Sequence, residues 1–225
     1  MIDPVEIAVV ITTFNSERFI GEAIESVVRQ TLQPAEIVVI DNGSTDSTES
    51  MVATRNIPFY VQTDGHVGRS RNLGLQVTKS PLIKYLDGDD LLSPSALQDL
   101  WDGLSSQNGH YAYGKNTNFV DESYTVAKAK EIAHTETPVA SGITLNSLMH
   151  RSVFETYGLP EEDNHSWNRW FVEATEKGMR SVLVEAVVGR RRIHDSNISH
   201  QEDAKTELFN LIAAKLQRKR LADEA

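Results

Sequence analysis

The densest chemistry in the sequence is Asp87-Gly88-Asp89-Asp90, set directly behind the apolar run Leu82–Leu86. In extended backbone, residues i and i+2 point to the same side, so Asp87 and Asp89 are expected to converge on one point. Carboxylates crowded into four residues repel one another unless something cationic lies between them. Hard divalent cations take oxygen ligands, and Mn2+ or Mg2+ commonly joins a few carboxylates to substrate phosphates. Gly88 lets the backbone approach closely. The competing use of such a cluster is an acidic turn ahead of a helix, with Ser93-Pro94 supplying the helix start. An EF-hand does not fit, because the twelfth loop position counted from Asp87 is Gln98.

These residues need a scaffold, and the first third of the chain reads as strand and helix in alternation. Ile7–Ile11 is a continuous β-branched run, as in a strand buried on both faces of a parallel sheet. Phe19, Ala23, Ile24, Val27 and Val28 follow at helical spacing. Ile37–Ile40 is a second buried strand, closed by Asp41-Asn42-Gly43. Ser44, Thr45 and Asp46 are helix caps by type, and Glu49 stands three after Asp46, as in a capping box. Phe59–Val61 reads as a third strand, Arg69–Val77 as a helix introduced by Gly65 and Gly68, and Leu82–Leu86 as a fourth strand. Such alternation means an α/β fold with an open parallel sheet and right-handed crossovers. Ligands on these sheets sit beyond the carboxyl ends of the strands, where Thr13, Asp41 and Asp87 fall.

The second half is less regular. Tyr111–Asn118 and Tyr124–Lys130 read as strands, and His134–Ser141 as loop. Ser152–Tyr157 and Trp167–Lys177 read as helices, the second closed by Gly178, and Val182–Val188 as a strand. From Gln201 onward, Leu208, Phe209, Leu211, Ile212 and Leu216 form an apolar stripe on a terminal helix.

Composition narrows the function. A net charge of −10 argues against bulk nucleic-acid binding, despite the basic clusters Arg190-Arg191-Arg192 and Lys215–Arg220. The chain has no cysteine, so neither disulfides nor thiolate metal sites are available. No apolar run reaches the ~18–20 residues of a membrane span, and Met1-Ile2-Asp3-Pro4 lacks a signal-peptide layout. A cytoplasmic protein is the expectation.

Four segments occur in order: Ile11-Thr12-Thr13-Phe14-Asn15, then Ile37 to Asp46, then Gly68 with Arg71-Asn72-Leu73-Gly74, then Tyr85 to Asp90. Together they resemble the inverting family 2 glycosyltransferases of the GT-A fold. Thr12 stands for the usual proline, Phe14 for the tyrosine and Asn42 for a second aspartate. The resemblance implies a GT-A-like open, mostly parallel twisted sheet with flanking helices. It implies that Thr13 and Asp41 hold the nucleotide, with Asn15 and Glu17 alongside. Arg71 would lie near the donor, Gly68 would allow close packing, and Asp87 would face ribose or sugar hydroxyls. Asp89 would be the principal metal ligand, with Asp87 beside it, carrying the cation that bridges the diphosphate.

Arg192-Ile193-His194-Asp195-Ser196-Asn197-Ile198-Ser199 is similar to a stretch that follows the last core strand in the family. There the histidine completes the metal site or meets the diphosphate, which implies His194 as ligand and Arg192 as a phosphate-facing cation. Inverting transfer needs a base for the acceptor hydroxyl. The family takes it from a Glu-Asp pair opening a helix ahead of a tryptophan. Aligning on the acidic pair selects Glu162-Asp163; aligning on Trp167 puts His165 and Ser166 there. Asp163 is favoured, with His165 and Glu162 behind it. An acidic residue ahead of a helix is also an ordinary N-cap.

The expected protein is a hexosyltransferase that moves a sugar from a nucleoside diphosphate, UDP before GDP or dTDP, with inversion. Its acceptor, whether saccharide, lipid-linked carrier, protein or other, is open. Residues 1–92 form the donor half, 93–200 the acceptor half of the same domain, and 201–225 the terminal helix. That helix's stripe suits its own domain, a second copy in a homodimer, or an anionic membrane surface, the last not favoured. The alternative is a non-catalytic module that binds nucleotide-sugar or acceptor. A nucleotidyltransferase or dinucleotide oxidoreductase lacks its Gly-rich loop here: Thr12-Thr13-Phe14-Asn15 follows the first strand.

Overall fold

The computed structural model describes residues 5–122, 138–140, 146–163 and 166–195. The strand read over Tyr124–Lys130, the helix read from Gln201 onward and His165 lie outside these residues. The predicted alternation is present. Strands β1 (Ile7–Thr13), β2 (Glu36–Asp41), β3 (Phe59–Val61) and β4 (Leu82–Asp87) pair in parallel. Helices α1 (Ile20–Val28), α2 (Thr48–Ala53) and α3 (Val67–Val77) make the crossovers that parallel pairing requires.

All seven residues of β1 are buried, and its period of two feeds two separate cores. Ile7, Val9 and Ile11 pack with Ile20, Ile24, Leu97 and Leu100. Val10 packs on the opposite face with Leu75, Tyr85, Trp167 and Phe171. Val28 departs from the expected apolar face of α1: it is exposed at the helix end. The α2 start also shifts. Asp46 Oδ1 accepts the Thr48 amide at 3.0 Å, and the helix begins there, past the Ser44–Asp46 run.

Beyond β4 the sheet becomes mixed. Its order among the described residues is β3-β2-β1-β4-β8-β6-β9-β5, with β7 (Val139–Ala140) paired to β6. Here β5 is Leu91–Leu92, β6 Tyr111–Val120, β8 Ser147–His150 and β9 Ser181–Ile193. β8 lies antiparallel between β4 and β6, and β9 runs parallel to β6 through register shifts near Tyr113 and Lys115. Those irregularities let one long strand run from the apolar core at Val182 to the polar end at Arg192. The helices α4 (Ala96–Ser106), α5 (Ser152–Tyr157) and α6 (Ser166–Glu176) complete the layers. α4 starts after Ser95, whose hydroxyl donates to Asp99 at 2.7 Å, rather than at Pro94. Among the described residues no helix is long and apolar enough to cross a membrane.

Candidate active site

The loops after β1 and β2 are stitched together by the side chains that the sequence singled out. Asp41 Oδ2 accepts the amides of Gly43 and Ser44 at 3.2 and 2.8 Å, and its Oδ1 accepts the Ser44 hydroxyl at 2.5 Å. Asn15 adopts φ 47°, a left-handed conformation that asparagine tolerates. Its amide donates to Ser44 Oγ and its Oδ1 accepts the Thr45 amide, both at 2.8 Å. Glu17 accepts the Ser47 amide at 2.9 Å, while its own amide donates to Asp46 at 3.0 Å. Burial works against the Asp46 charge, but hydrogen bonds from Thr48 and from the Glu17 amide outweigh it and hold that carboxyl below its ordinary range. Asp41, Asn15 and Glu17 therefore shape a preorganised rim as well as lining it.

At the neighbouring strand ends the charges are arranged more pointedly. Thr13 is buried, and its hydroxyl has no hydrogen-bond partner among the described residues. Gly88 presses against it: a Cβ there would lie 2.8 Å from Thr13 Oγ1, so only glycine lets the acidic turn close on β1. Asp87 Oδ1 accepts from the Thr12 hydroxyl at 3.0 Å and pairs with buried Arg71 at 2.9 Å. The Arg71 guanidinium also lies 5.8 Å from the Trp167 ring. The strand ends at Asp87, and the Asp90 amide bonds back to the Asp87 carbonyl at 3.0 Å. The extended alternation assumed for Asp87 and Asp89 is thereby replaced by a turn.

Asp89 Oδ2 lies 3.0 Å from His194 Nε2, although 105 residues separate them. Asp90 is buried, and burial, then Asp89 and Asp87, push its carboxyl well above the ordinary range. Among the described residues no group of three His, Cys, Asp or Glu stands together to hold a metal ion. Two donors do. Oxygen and imidazole nitrogen suit Mn2+ or Mg2+, and 3.0 Å matches adjacent ligands of an octahedral cation with bonds of about 2.1 Å. Arg192, expected to face phosphate, is instead buried behind the acidic turn, with Nε donating to the Asp89 carbonyl at 3.0 Å.

The candidate base loop docks on α3. A Cβ on Gly68 would stand 2.3 Å from the Asp163 carbonyl oxygen and 3.1 Å from that of Glu161. Asn72 Nδ2 donates to the Pro160 carbonyl at 3.0 Å. Glu162 pairs with Arg69 at 2.7 Å, and Arg69 also pairs with Asp64. Asp163 pairs with Arg169, which reaches Glu161 at 3.2 Å as well. Sequence reasoning passed over Arg69, Arg169 and Lys84. The signal for Lys84 was present, since a lysine inside the apolar run Leu82–Leu86 must be buried. Arg69 and Arg169 carried no such signal, because arginines on helices are commonplace.

A family model described as "Glycosyl transferase family 2" matches residues 8–178. Glycosyltransferase GlyG of Streptococcus pneumoniae is 27% identical over 123 residues, covering 52% of this chain and 40% of GlyG. Poly(ribitol-phosphate) beta-N-acetylglucosaminyltransferase TarP of Staphylococcus aureus is 30% identical over 118 residues, covering 49% of this chain and 36% of TarP. The chain thus spans less than half the length of either relative. Among solved structures, S. aureus TarS in complex with UDP-GlcNAc has a TM-score of 0.67 at 16% identity, covering 85% of this chain and 60% of that one. Glucosyl-3-phosphoglycerate synthase from Mycobacterium tuberculosis, in complex with Mn2+ and UDP-glucose, has a TM-score of 0.62 at 15% identity, covering 85% and 72%. At these identities the structural likeness concerns the fold.

Proposed function

The chain belongs to glycosyl transferase family 2 and has a GT-A-like α/β fold, and on that premise we propose that it moves a hexose from a UDP-sugar to an acceptor hydroxyl, with inversion and with Mn2+ or Mg2+. The observation that carries this reading is the gathering of Thr13, Asp41, Asp87 with Arg71, and the Asp89–His194 pair at one end of one sheet. The TarS complex with UDP-GlcNAc and the synthase complex with Mn2+ and UDP-glucose support donor and metal class by analogy.

In this reading residues 1–92 bind the donor. Thr13, Asn15, Glu17 and Asp41 form the nucleotide end, and Asp87 meets ribose or sugar hydroxyls while Arg71 fixes its carboxylate. Asp89 and His194 would hold the cation, which would supply Lewis-acid neutralisation of the charge on the departing diphosphate. Residues 93–200 receive the acceptor, a saccharide, lipid-linked carrier, protein or other hydroxyl. Asp163 takes the acceptor's hydroxyl proton while that oxygen forms its bond to the anomeric carbon. The bond from that carbon to the diphosphate breaks, and UDP leaves with the electron pair. Attack opposite the leaving group inverts the centre. A cytoplasmic site of action belongs to the same reading.

One contact favours a second reading. Arg169 pairs with Asp163, so the carboxylate that would take the proton is already engaged. A module that binds nucleotide-sugar without turnover would have that arrangement. A donor screen separates the two: purified protein with Mn2+ is incubated with a panel of nucleotide sugars, recording thermal stabilisation and UDP release. Ligand at about 100 times its Kd adds about 2.7 kcal/mol, a rise of several degrees. The enzyme reading expects that rise with a UDP-sugar, together with slow hydrolysis that EDTA stops. Stabilisation without release in water or with any acceptor selects the binding module, and no response to any donor sinks both.

A further inference from the structure

The side chain of Arg192 is 6% exposed, and the residue grips the acidic turn twice, once through its main chain and once through its guanidinium. Its amide donates to Asp90 Oδ1 at 2.8 Å and its Nε to the Asp89 carbonyl at 3.0 Å. The remaining guanidinium nitrogens reach Glu22 at 2.6 Å and Asp121 at 3.5 Å. The same group lies 4.8 Å from the Phe19 ring and 4.7 Å from that of Phe119. Arg18 lies over Phe19 at 4.9 Å and Arg190 over Phe119 at 4.7 Å. A ladder of alternating cations and rings, Arg18–Phe19–Arg192–Phe119–Arg190, thus backs the site. Phe19 also touches the His194 ring, with centroids 4.6 Å apart.

A buried guanidinium is costly unless its donors and its charge are met. Here carboxylates and a carbonyl meet the donors, and two aromatic rings lie within 5 Å of the charge. Both members of the Asp89–His194 pair depend on this group. Asp89 is held through its carbonyl, and His194 follows two residues later on the same chain, against a ring that Arg192 shares.

We propose that Arg192 is a positioning residue: it locks the Asp89 turn against β9, so that Asp89 Oδ2 and His194 Nε2 face one divalent cation. The inference rests on the metal site of the proposed function. A planar fork between two rings is a task lysine cannot perform, whatever its charge. Supporting groups behind a metal ligand typically carry about 10–100-fold in metal affinity.

The test uses the full chain with Arg192→Lys and, as a milder variant that keeps the charge, Phe119→Leu. Three quantities are measured: Mn2+ affinity in the presence of UDP, by electron paramagnetic resonance; UDP affinity without metal; and the melting temperature. Arg192→Lys is expected to weaken Mn2+ at least tenfold while metal-free UDP affinity stays within about twofold. Phe119→Leu should show a smaller loss in the same direction, and it decides the matter if Arg192→Lys does not fold. Wild-type Mn2+ affinity in the folded variant overturns the inference alone. So does an equal loss of Mn2+ and metal-free UDP affinity, which marks general loosening. A wild-type protein that binds no Mn2+ with UDP present removes the metal reading and this inference together.

Discussion

Asp163 has a fixed backbone and a contested charge. Ser166 Oγ donates to its carbonyl at 2.9 Å, while its carboxylate, 43% exposed, pairs with Arg169. Proton transfer from the acceptor requires that carboxylate to exchange Arg169 for the hydroxyl, or to share both. Asp163→Asn keeps the shape and removes the proton acceptor. Transfer should fall by roughly 10²–10⁴-fold, with UDP-sugar affinity by calorimetry near wild type. Unchanged turnover would move the base to another group, His165 first. The sequence made some of this site legible and hid the rest for a physical reason. Thr13, Asp41 and Asp87 could be placed because each follows an apolar run that must be a buried strand. The partners Arg169, Arg71 for Asp87, and Arg192 for the acidic turn could not. Those contacts are chosen by tertiary packing, and Arg192 reaches Asp89 across 103 residues.

At the scale of elements, α3 does double duty. One of its turns holds Arg71 beside Asp87, and its N-terminal half carries the base loop on Gly68, Arg69 and Asn72. A single helix therefore sets the distance between donor and base. Gly68→Ala places a methyl group 2.3 Å from a main-chain oxygen, and backbone cannot yield as a flexible side chain would. Overpacking of this kind costs roughly 1–3 kcal/mol. The loop should move rather than the helix, because α3 is anchored on β1 and β2 by Leu75, Val10 and Ile40. The variant should lose at least tenfold in kcat, as misplaced catalytic groups do, with little change in donor KM. A parallel loss of donor affinity would show that α3 itself had shifted. The α3 helix was visible in sequence, as were β1 to β4 and α1; β1, β2 and α1 carry uninterrupted apolar periods, whereas Lys84 breaks that of β4 and α3 is largely polar. β5, β7 and β8 were not: two or four residues are too few for a period to show. β9 was seen only over Val182–Val188, because its arginine-rich end owes its strand geometry to pairing with β6 and Leu91.

For the molecule as a whole, the least expected feature is Lys84, fully buried in the middle strand of the sheet. Its register neighbours are Val9 and Leu148, and its Nζ donates to the Tyr85 carbonyl at 2.8 Å. Burial lowers its pKa to about 7, with Asp87 and Asp90 pulling the other way and Arg71 adding to the depression. The unfolded chain keeps this lysine protonated up to about pH 10.4. Between pH 7 and that value the unfolded state binds more protons than the folded one, so stability should rise with pH. The cost of burying the amine is felt in full below pH 7 and fades towards pH 10. At about 1.4 kcal/mol per unit it amounts to a few kcal/mol, a large fraction of ordinary domain stability. Lys84→Met keeps the length and discards the charge. Urea unfolding should find it more stable than wild type at pH 6.5, with the gap narrowing by pH 9.5. Asp90 acts in the opposite sense, since its raised pKa makes stability fall as pH rises above the ordinary carboxylate value. It is present in both proteins, so only its coupling to Lys84 enters their difference. A gap that stays constant with pH, or wild-type stability flat from pH 6.5 to 9.5, would mean that Lys84 keeps its proton in the fold. The Asp87 and Asp90 charges would then outweigh its burial.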